Sequence, residues 1–463
     1  MSLFRRLLPK RWQKRAFYEG GRVTRANRDF WNATSPFEVT ASPDRDRLRA
    51  RARWLRANNP IMANIDRTIV NNVVGHGIGL QSKTGDTRVD SEIEAKWKQA
   101  AGRGGLDITG RLTLTDMLRL IVETRMVDGE ILAYKRLSKD RARPFTLQLI
   151  EADRFNKFHA DMNIIDGVEI DDDGRVVAYH IFDGGDYQQT SFSDVALPAE
   201  DVINYYKQER ATQYRGISEY AQAIIDIKNF SAYQSATVAA ARARANIAYY
   251  VEKEGPIGPS IGVHDDPDDT DRKIQEINGV MVHYLDRGEK IGKLDPDMVG
   301  DNYANFVRMT VRMLANARNI SYELAFRDFS QVNFSSARAS IIQDNKRFDA
   351  EQRHLVEYFL EPVFEAWVEA NVLAGNFRSI TPAAWARDSS RFVKPRWVMP
   401  KREWVDPLKD MKAVELELKL GLTTRTEVAA SRGMDFEELL MQQKKEQELM
   451  SKYGIGGESA QEN

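Results

Sequence analysis

The spacing of apolar residues changes period along this chain, and the changes divide it. Residues 44–58 read as a helix, with Ser42-Pro43 before it and a break at Asn59-Pro60. Residues 60–74 resume helically, because Ile61, Ile65, Ile69 and Val73 recur every four positions. Gly75-His76-Gly77-Ile78-Gly79 then reads as a helix stop and a turn into a strand. It is not a dinucleotide fingerprint, since a helix precedes it and none opens after it. Residues 91–101 and 115–128 are further amphipathic helices. Over residues 129–210 the period shortens. The segments 130–136, 146–150, 167–170, 176–182 and 202–206 are short, β-branched and aromatic, and predict strands. Asp171-Asp172-Asp173-Gly174 predicts a hairpin turn between two of them; its acids could alternatively hold a metal, but they lack the EF-hand spacing and its distal Glu.

Residues 217–250 return to a helical pattern rich in alanine, from Ala221 to Ala245, so that helices can approach closely there. A loop rich in Gly, Pro and Asp follows at 252–271. Residues 279–285 and 290–294 then predict a small hairpin through Asp286-Arg287-Gly288-Glu289. Residues 302–319 are helical, and 335–374 form a long helix interrupted near Pro362. Between them, 320–334 has the polar and aromatic composition of a loop. A Trp- and Pro-punctuated stretch from Trp397 leads into helices near 409–420 and 424–453, and a tail at 454–463 is expected to be disordered.

Composition narrows the function. The 463 residues suggest about three domain-sized units. With 42% hydrophobic and 29% charged residues, the chain can bury cores. Lys+Arg 67 against Asp+Glu 68 argues against coating nucleic acid by bulk charge. Cys 0 removes disulfides, thiolate zinc sites and cysteine nucleophiles, and the 6 His include no closely spaced pair. No run approaches the roughly 18 apolar residues of a membrane helix, and the basic N-terminus lacks a secretory apolar stretch. The expectation is a soluble, intracellular, multi-domain protein. Charge is nevertheless uneven: residues 1–60 hold fifteen Lys/Arg and five acids, a net of +10. Such an arm suits nucleic acid or an acidic partner, or is simply a basic tail.

Catalytic hardware is sparse. Neither a G-x-S-x-G elbow nor a GxxxxGK[ST] loop is present. Asp128 and Glu130 flank Gly129 where a helix gives way to a strand; they read as solvated acids at a helix end, or as metal ligands of a nuclease. No catalytic residue, metal site or cofactor is assigned.

Several blocks, in order, resemble the lambda-type portal proteins of tailed double-stranded-DNA bacteriophages. They include Arg53-Trp54-Leu55-Arg56-Ala57-Asn58-Asn59-Pro60, Leu149-Ile150-Glu151-Ala152-Asp153-Arg154 and Gln213-Tyr214-Arg215-Gly216-Ile217-Ser218. The most specific are Ile320-Ser321-Tyr322-Glu323, Asp328-Phe329-Ser330 and Asn333-Phe334-Ser335-Ser336-Ala337-Arg338-Ala339. The family more often has Tyr where this chain has Phe334. The resemblance runs from about residue 45 to 435 and implies an α+β portal fold. Its parts would be a basic arm (1–40), an α/β wing of helices then strands (41–215), and two stem helices (216–250 and 301–319). A small β-containing clip (251–300) would lie between the stem helices. A tunnel loop (320–335) would lead into a kinked wing helix and connector (336–400), and then a helical C-terminal crown and disordered tail (401–463).

The resemblance also implies a homo-oligomeric ring, typically a dodecamer, at one capsid vertex of the virion, assembled in the host cytoplasm, with double-stranded DNA passing through its channel. Large terminase subunit, head-tail adaptor, major capsid protein and a scaffold would be its partners, with no membrane. A conduit must not grip phosphates, because each neutralised phosphate adds affinity through counterion release. In the tunnel loop, Arg327 would be balanced by Asp328 and Glu323, leaving Ser330, Gln331, Asn333, Ser335 and Ser336 as neutral hydrogen-bonding groups toward DNA; alternatively the loop is a buried connector. Two other classes stand beside this reading: a metal-dependent nucleic-acid-processing enzyme, and a membrane-associated ring using the basic arm on anionic lipid.

Overall fold

Helix α1 (Phe37–Asn58) starts seven residues earlier than the sequence pattern predicts and carries Pro43 inside it. Proline leaves the carbonyl four residues back without its helical donor. Here that residue is Val39, which is exposed, so water can serve the carbonyl. The first turn is held by Glu38, whose carboxylate accepts from Arg45 at 2.5 Å and from the backbone N–H of Tyr214 and Arg215. The computed structural model describes residues 35–158, 163–183, 193–246, 250–253, 275–277, 280–282, 289–292, 302–330, 333–400, 407–432, 434 and 436–453. Most of the basic arm, residues 254–271 of the predicted loop, the turn at 286–288 and the tail lie outside them.

Helix α2 (Pro60–Val73) begins where expected, its N-cap Asn59 accepting from the N–H of Ile61 and Met62. Strand β1 (Gly79–Ser82) follows the glycine cluster, and α3 (Thr87–Ala100) is capped by Asp86. A reciprocal Thr113–Asp116 capping box opens α4 (Leu114–Asp128). Strands β2 (Glu130–Leu137) and β3 (Phe145–Glu151) form a hairpin. The short β4 (Ile164–Ile165), β5 (Val168–Ile170), β6 (Val176–Phe182) and β7 (Asp194–Pro198) make an antiparallel sheet in that order. The Asp171 turn joins β5 to β6: its carboxylate accepts from the N–H of Asp173 and Arg175. Strand β8 (Val202–Tyr206) returns to β2, giving the order β3-β2-β8.

The pleat of this second sheet divides the core. Ile131, Ala133, Ile203 and Tyr205 face the helices, while Leu132 and Val202 meet Phe155, Val168 and Ile181 of the four-stranded sheet.

Helix α5 (Ile224–Asn246) is shorter at both ends than predicted. Residues 219–223 form turns, and Tyr250 opens strand β9 (Tyr250–Lys253) instead of ending a helix. The predicted hairpin is also corrected. Strand β10 (Gln275–Ile277) pairs with β11 (Val280–Val282), while β12 (Glu289–Gly292) pairs with β9 across the whole insertion. Two short ladders replace one.

Helix α6 (Asn302–Ala317) starts where expected and ends two residues early, and α7 (Tyr322–Phe326) puts a helical turn where a loop is predicted. The long helix comprises α8 (Phe334–Leu355), a π turn over Val356–Leu360 and α9 (Glu361–Leu373). Pro362 accounts for the interruption: it cannot donate to Tyr358, and the wider π turn falls just before it. After α10 (Pro382–Arg387), strand β13 (Pro395–Val398) pairs with β1. Trp97, Phe364, Trp367 and Trp397 lock α3, α9 and this strand edge-to-face, with Trp97 centred 5.0 Å from Trp367 and 5.8 Å from Trp397. The predicted final helix is two, so that α11 (Pro407–Lys419) is followed by α12 (Arg425–Ser431) and α13 (Phe436–Lys452).

Candidate nucleic-acid interface

The candidate segment links the end of α6 to the start of α8 and is fastened at both. Asn319, in the left-handed region at φ 47°, turns the chain out of α6 so that Ile320 is buried. Ser321 caps α7, and its N–H and hydroxyl both donate to Asp344 of α8, at 2.8 and 2.6 Å. Burial leaves the Asp344 carboxyl above its usual pKa despite those bonds. Asn64 of α2 donates to the carbonyls of Leu324 and Ala325, which pins α7 from the other side.

Arg327 then takes a left-handed conformation at φ 56° and is exposed. Arg327 forms no ion pair or hydrogen bond with Asp328 or Glu323 among the described residues, so any balance among them is one of net charge and not of direct pairing. Asp328 instead accepts from the Tyr322 hydroxyl and the Ser330 N–H, both at 3.0 Å. Those Ser330 and Tyr322 bonds, with Arg308 of α6 nearby, hold its carboxyl below the usual range. Arg312 lies over the Tyr322 ring, 5.4 Å from its centroid.

Of the six candidate residues, Arg327, Ser330, Asn333, Ser335 and Ser336 are exposed, and Gln331 lies outside the described residues. They are not all on a loop. Asn333 is the N-cap of α8, accepting from the Ser336 N–H at 2.9 Å, and Ser335 and Ser336 occupy its first turn. The Ser336 hydroxyl is spent on Asn333 as well. The Ser330 hydroxyl is likewise engaged, on the Asp328 carboxylate, so among the described residues Ser335 remains the neutral candidate side chain with no such local bond.

Beneath the segment lies a buried charge network that sequence reasoning missed. Arg318, at the end of α6, donates to Asp66 at 2.9 Å and pairs with Glu219 at 3.3 Å. Tyr220 also donates to Asp66. Arg125 of α4 bridges Glu219 and Glu351, each at 2.7 Å, and Arg347 of α8 reaches Glu219 at 3.1 Å. Burial would raise the Glu219 carboxyl, but Arg125, Arg318 and Arg347 reverse it and hold it far below the usual range. Helices α2, α4, α6 and α8 thus meet in one ionic knot at the root of the segment.

Asp128 and Glu130 are not solvated. Arg53 forks onto Asp128 at 2.8 and 2.5 Å, and Arg215 onto Glu130 at 2.8 and 2.7 Å, the latter pair fully buried. Burial would raise the Glu130 carboxyl, and Arg215 outweighs it. Gly129 and Gly216 permit the close approach: a Cβ on Gly216 would lie 2.1 Å from the Gly129 carbonyl oxygen. Arg45, Arg49, Arg53 and Arg56, counted above toward a basic arm, all enter internal ion pairs. Among the described residues no group of three His, Asp or Glu could hold a metal ion, and no helix is long and apolar enough to cross a membrane.

Residues 24–352 match the family described as phage portal protein, lambda family. The chain is 27% identical to a probable portal protein of Halomonas phage phiHAP-1, over 89% of this chain and 82% of that one. It is 23% identical to the portal protein of Escherichia phage N15, over 90% and 87%. Among solved structures, a chain from the neck of an empty gene transfer agent particle aligns with TM-score 0.48 at 12% identity, covering 84% of this chain and 94% of that one.

Proposed function

Because this chain belongs to the lambda family of phage portal proteins, we propose that its copies close into a ring at one capsid vertex, through which double-stranded DNA is packaged and ejected. The chain is a portal subunit, and its role is structural rather than catalytic. In this reading residues 41–215 and 336–400 are the wing, α5 and α6 the stem, 251–300 the clip, and α11 to α13 the crown. The large terminase subunit docks on the ring during packaging and the head-tail adaptor afterwards; the capsid protein surrounds it.

The segment between α6 and α8 is the channel constriction of this reading. The observation that carries it is that exposed side chains stand on a rigid base. Over residues 320–336 the acids Glu323 and Asp328 face one base, Arg327, so the stretch offers DNA little net charge. Ser335 offers a hydroxyl that can exchange hydrogen bonds with a passing backbone, phosphate by phosphate. The Asp344 and Asn64 bonds keep the segment from collapsing onto the DNA, and the ionic knot transmits load into four helices.

The test replaces Ser330→Arg and Ser335→Arg, which spare the α8 cap. Each substitution adds one cation per subunit, and ring symmetry repeats it around the constriction. Assembly proceeds normally, since exposed sites tolerate change within roughly 0.5 kcal/mol. Packaging into proheads slows, most at low salt. Unchanged packaging by normally assembled variants would move the constriction elsewhere.

A further inference from the structure

The outer side of the π turn and α9 carries Glu357, Glu361, Glu365 and Glu369, all exposed and four residues apart. At 1.5 Å per residue they form an acidic rail about 18 Å long. Like charges at this spacing oppose the helix that holds them. Among the described residues none of the four forms an ion pair, and along the π turn and α9 themselves there is no Lys or Arg, the preceding one on the helix being Arg353. Exposed Tyr358 and Leu373 flank its two ends.

The same chain contains the complementary charge. Residues 1–34 carry nine Lys/Arg (Arg5, Arg6, Lys10, Arg11, Lys14, Arg15, Arg22, Arg25, Arg28) against Glu19 and Asp29, a net of +7. Aromatic side chains at Trp12, Phe17, Tyr18 and Trp31 are interleaved with them. The segment joins the fold at the loop that follows β8. The Ser35 carbonyl accepts from Arg210, and the Phe37 N–H donates to Thr212, just after β8 ends at Tyr206. At that end of β8, Tyr205 packs on His354 and Phe359, in the turn that bears Glu357. Thirty-four residues span up to roughly 110 Å when extended, several times the length of the rail.

We infer that the basic segment 1–34 docks on the glutamate rail of Glu357–Glu369, so that the acidic surface the arm seeks is on its own chain. The arm's cations then neutralise the like charges lined up on α9, and its aromatic residues meet Tyr358 and Leu373. Docking of this kind is screened by salt. It leaves the arm available to a competing acidic surface, nucleic acid or protein, that offers more charge than the rail.

Limited trypsin digestion of the full-length protein tests this, with cuts inside residues 1–34 followed by mass. The comparison is with Glu361→Gln/Glu365→Gln/Glu369→Gln, which adds no trypsin site and keeps good helix formers at exposed positions. A second variant, Glu417→Gln/Glu446→Gln/Glu448→Gln, makes the same change of net charge on α11 and α13. Cutting of the arm is slow in the unmodified protein at low salt. It accelerates at least about tenfold in the rail variant and at high salt, because cleavage follows the fraction of arm released. The α11/α13 variant behaves as unmodified. Equal arm cleavage in the rail variant and the unmodified protein at low salt overturns the proposal, whether both are slow or both fast.

Discussion

Arg215 and Glu130 show how a single buried pair can organise a joint. Their guanidinium and carboxylate are both fully buried, with Arg215 also lying 3.3 Å from the Phe155 ring centroid. Glu130→Gln removes one charge and leaves the other without compensation. The expected cost is about 3–5 kcal/mol of folding stability, read as a lowered denaturation midpoint with an unchanged slope. A loss under about 1 kcal/mol would show that water reaches the pair. This pairing was not legible in the sequence. Asp128 and Glu130 find their arginines 75 and 85 positions away, whereas a reading of the sequence sees only the glycine between them. The candidate channel residues were partly legible. Their exposure follows from a polar composition, but the capping role of Asn333 depends on α8 starting at Phe334, one residue before the predicted start at Ser335.

At the scale of elements, the legible features were those with local causes. Asn59-Pro60 marks a helix start by its own hydrogen bonds, and α2 carries its stripe at a spacing of four; the Thr113–Asp116 capping box, equally local, was passed over. Pro43 misled because proline forbids only one backbone donor, and the exposed carbonyl at Val39 can turn to water. The β9–β12 pairing was hidden because its partners are separated by the whole insertion. Strand β7 was missed for lack of a long alternating run; it is held partly by side chains. His180 of β6 contacts Asp194 of β7 at 2.8 Å through Nδ1 and Glu169 of β5 at 3.0 Å through Nε2. A neutral imidazole has one donor, so two carboxylate partners favour the imidazolium. Burial would lower the His180 pKa, but those two hydrogen bonds leave it raised. The stabilisation is therefore fully present below the ordinary value near about 6.5 and is lost as pH rises through the elevated value. Hydrogen exchange of the β7 amides, corrected for intrinsic rate, should quicken across that window, and His180→Gln should abolish the step. A flat profile in the unmodified protein would contradict this.

On the scale of the whole molecule, the α+β division was legible, because the switch from helical to alternating period falls near residue 129 and back after 206. What could not be read was how the halves are tied. Arg318 and Asp66 stand 252 positions apart, and Arg125 and Glu351 stand 226 apart; only the folded chain joins them. That knot gives the segment between α6 and α8 a fixed base, which a conduit under mechanical load requires. The remaining demand is closure, since a channel exists only when identical subunits meet head to tail around an axis. Negative-stain microscopy of the purified full-length protein, with mass measurement on the same sample, addresses this most directly. The account predicts rings with an axial hole, and a twelvefold ring of 52.9 kDa subunits would weigh about 635 kDa. Rings of eleven or thirteen copies would still satisfy it. Only monomers or dimers at micromolar concentration, across low and high salt, would contradict it.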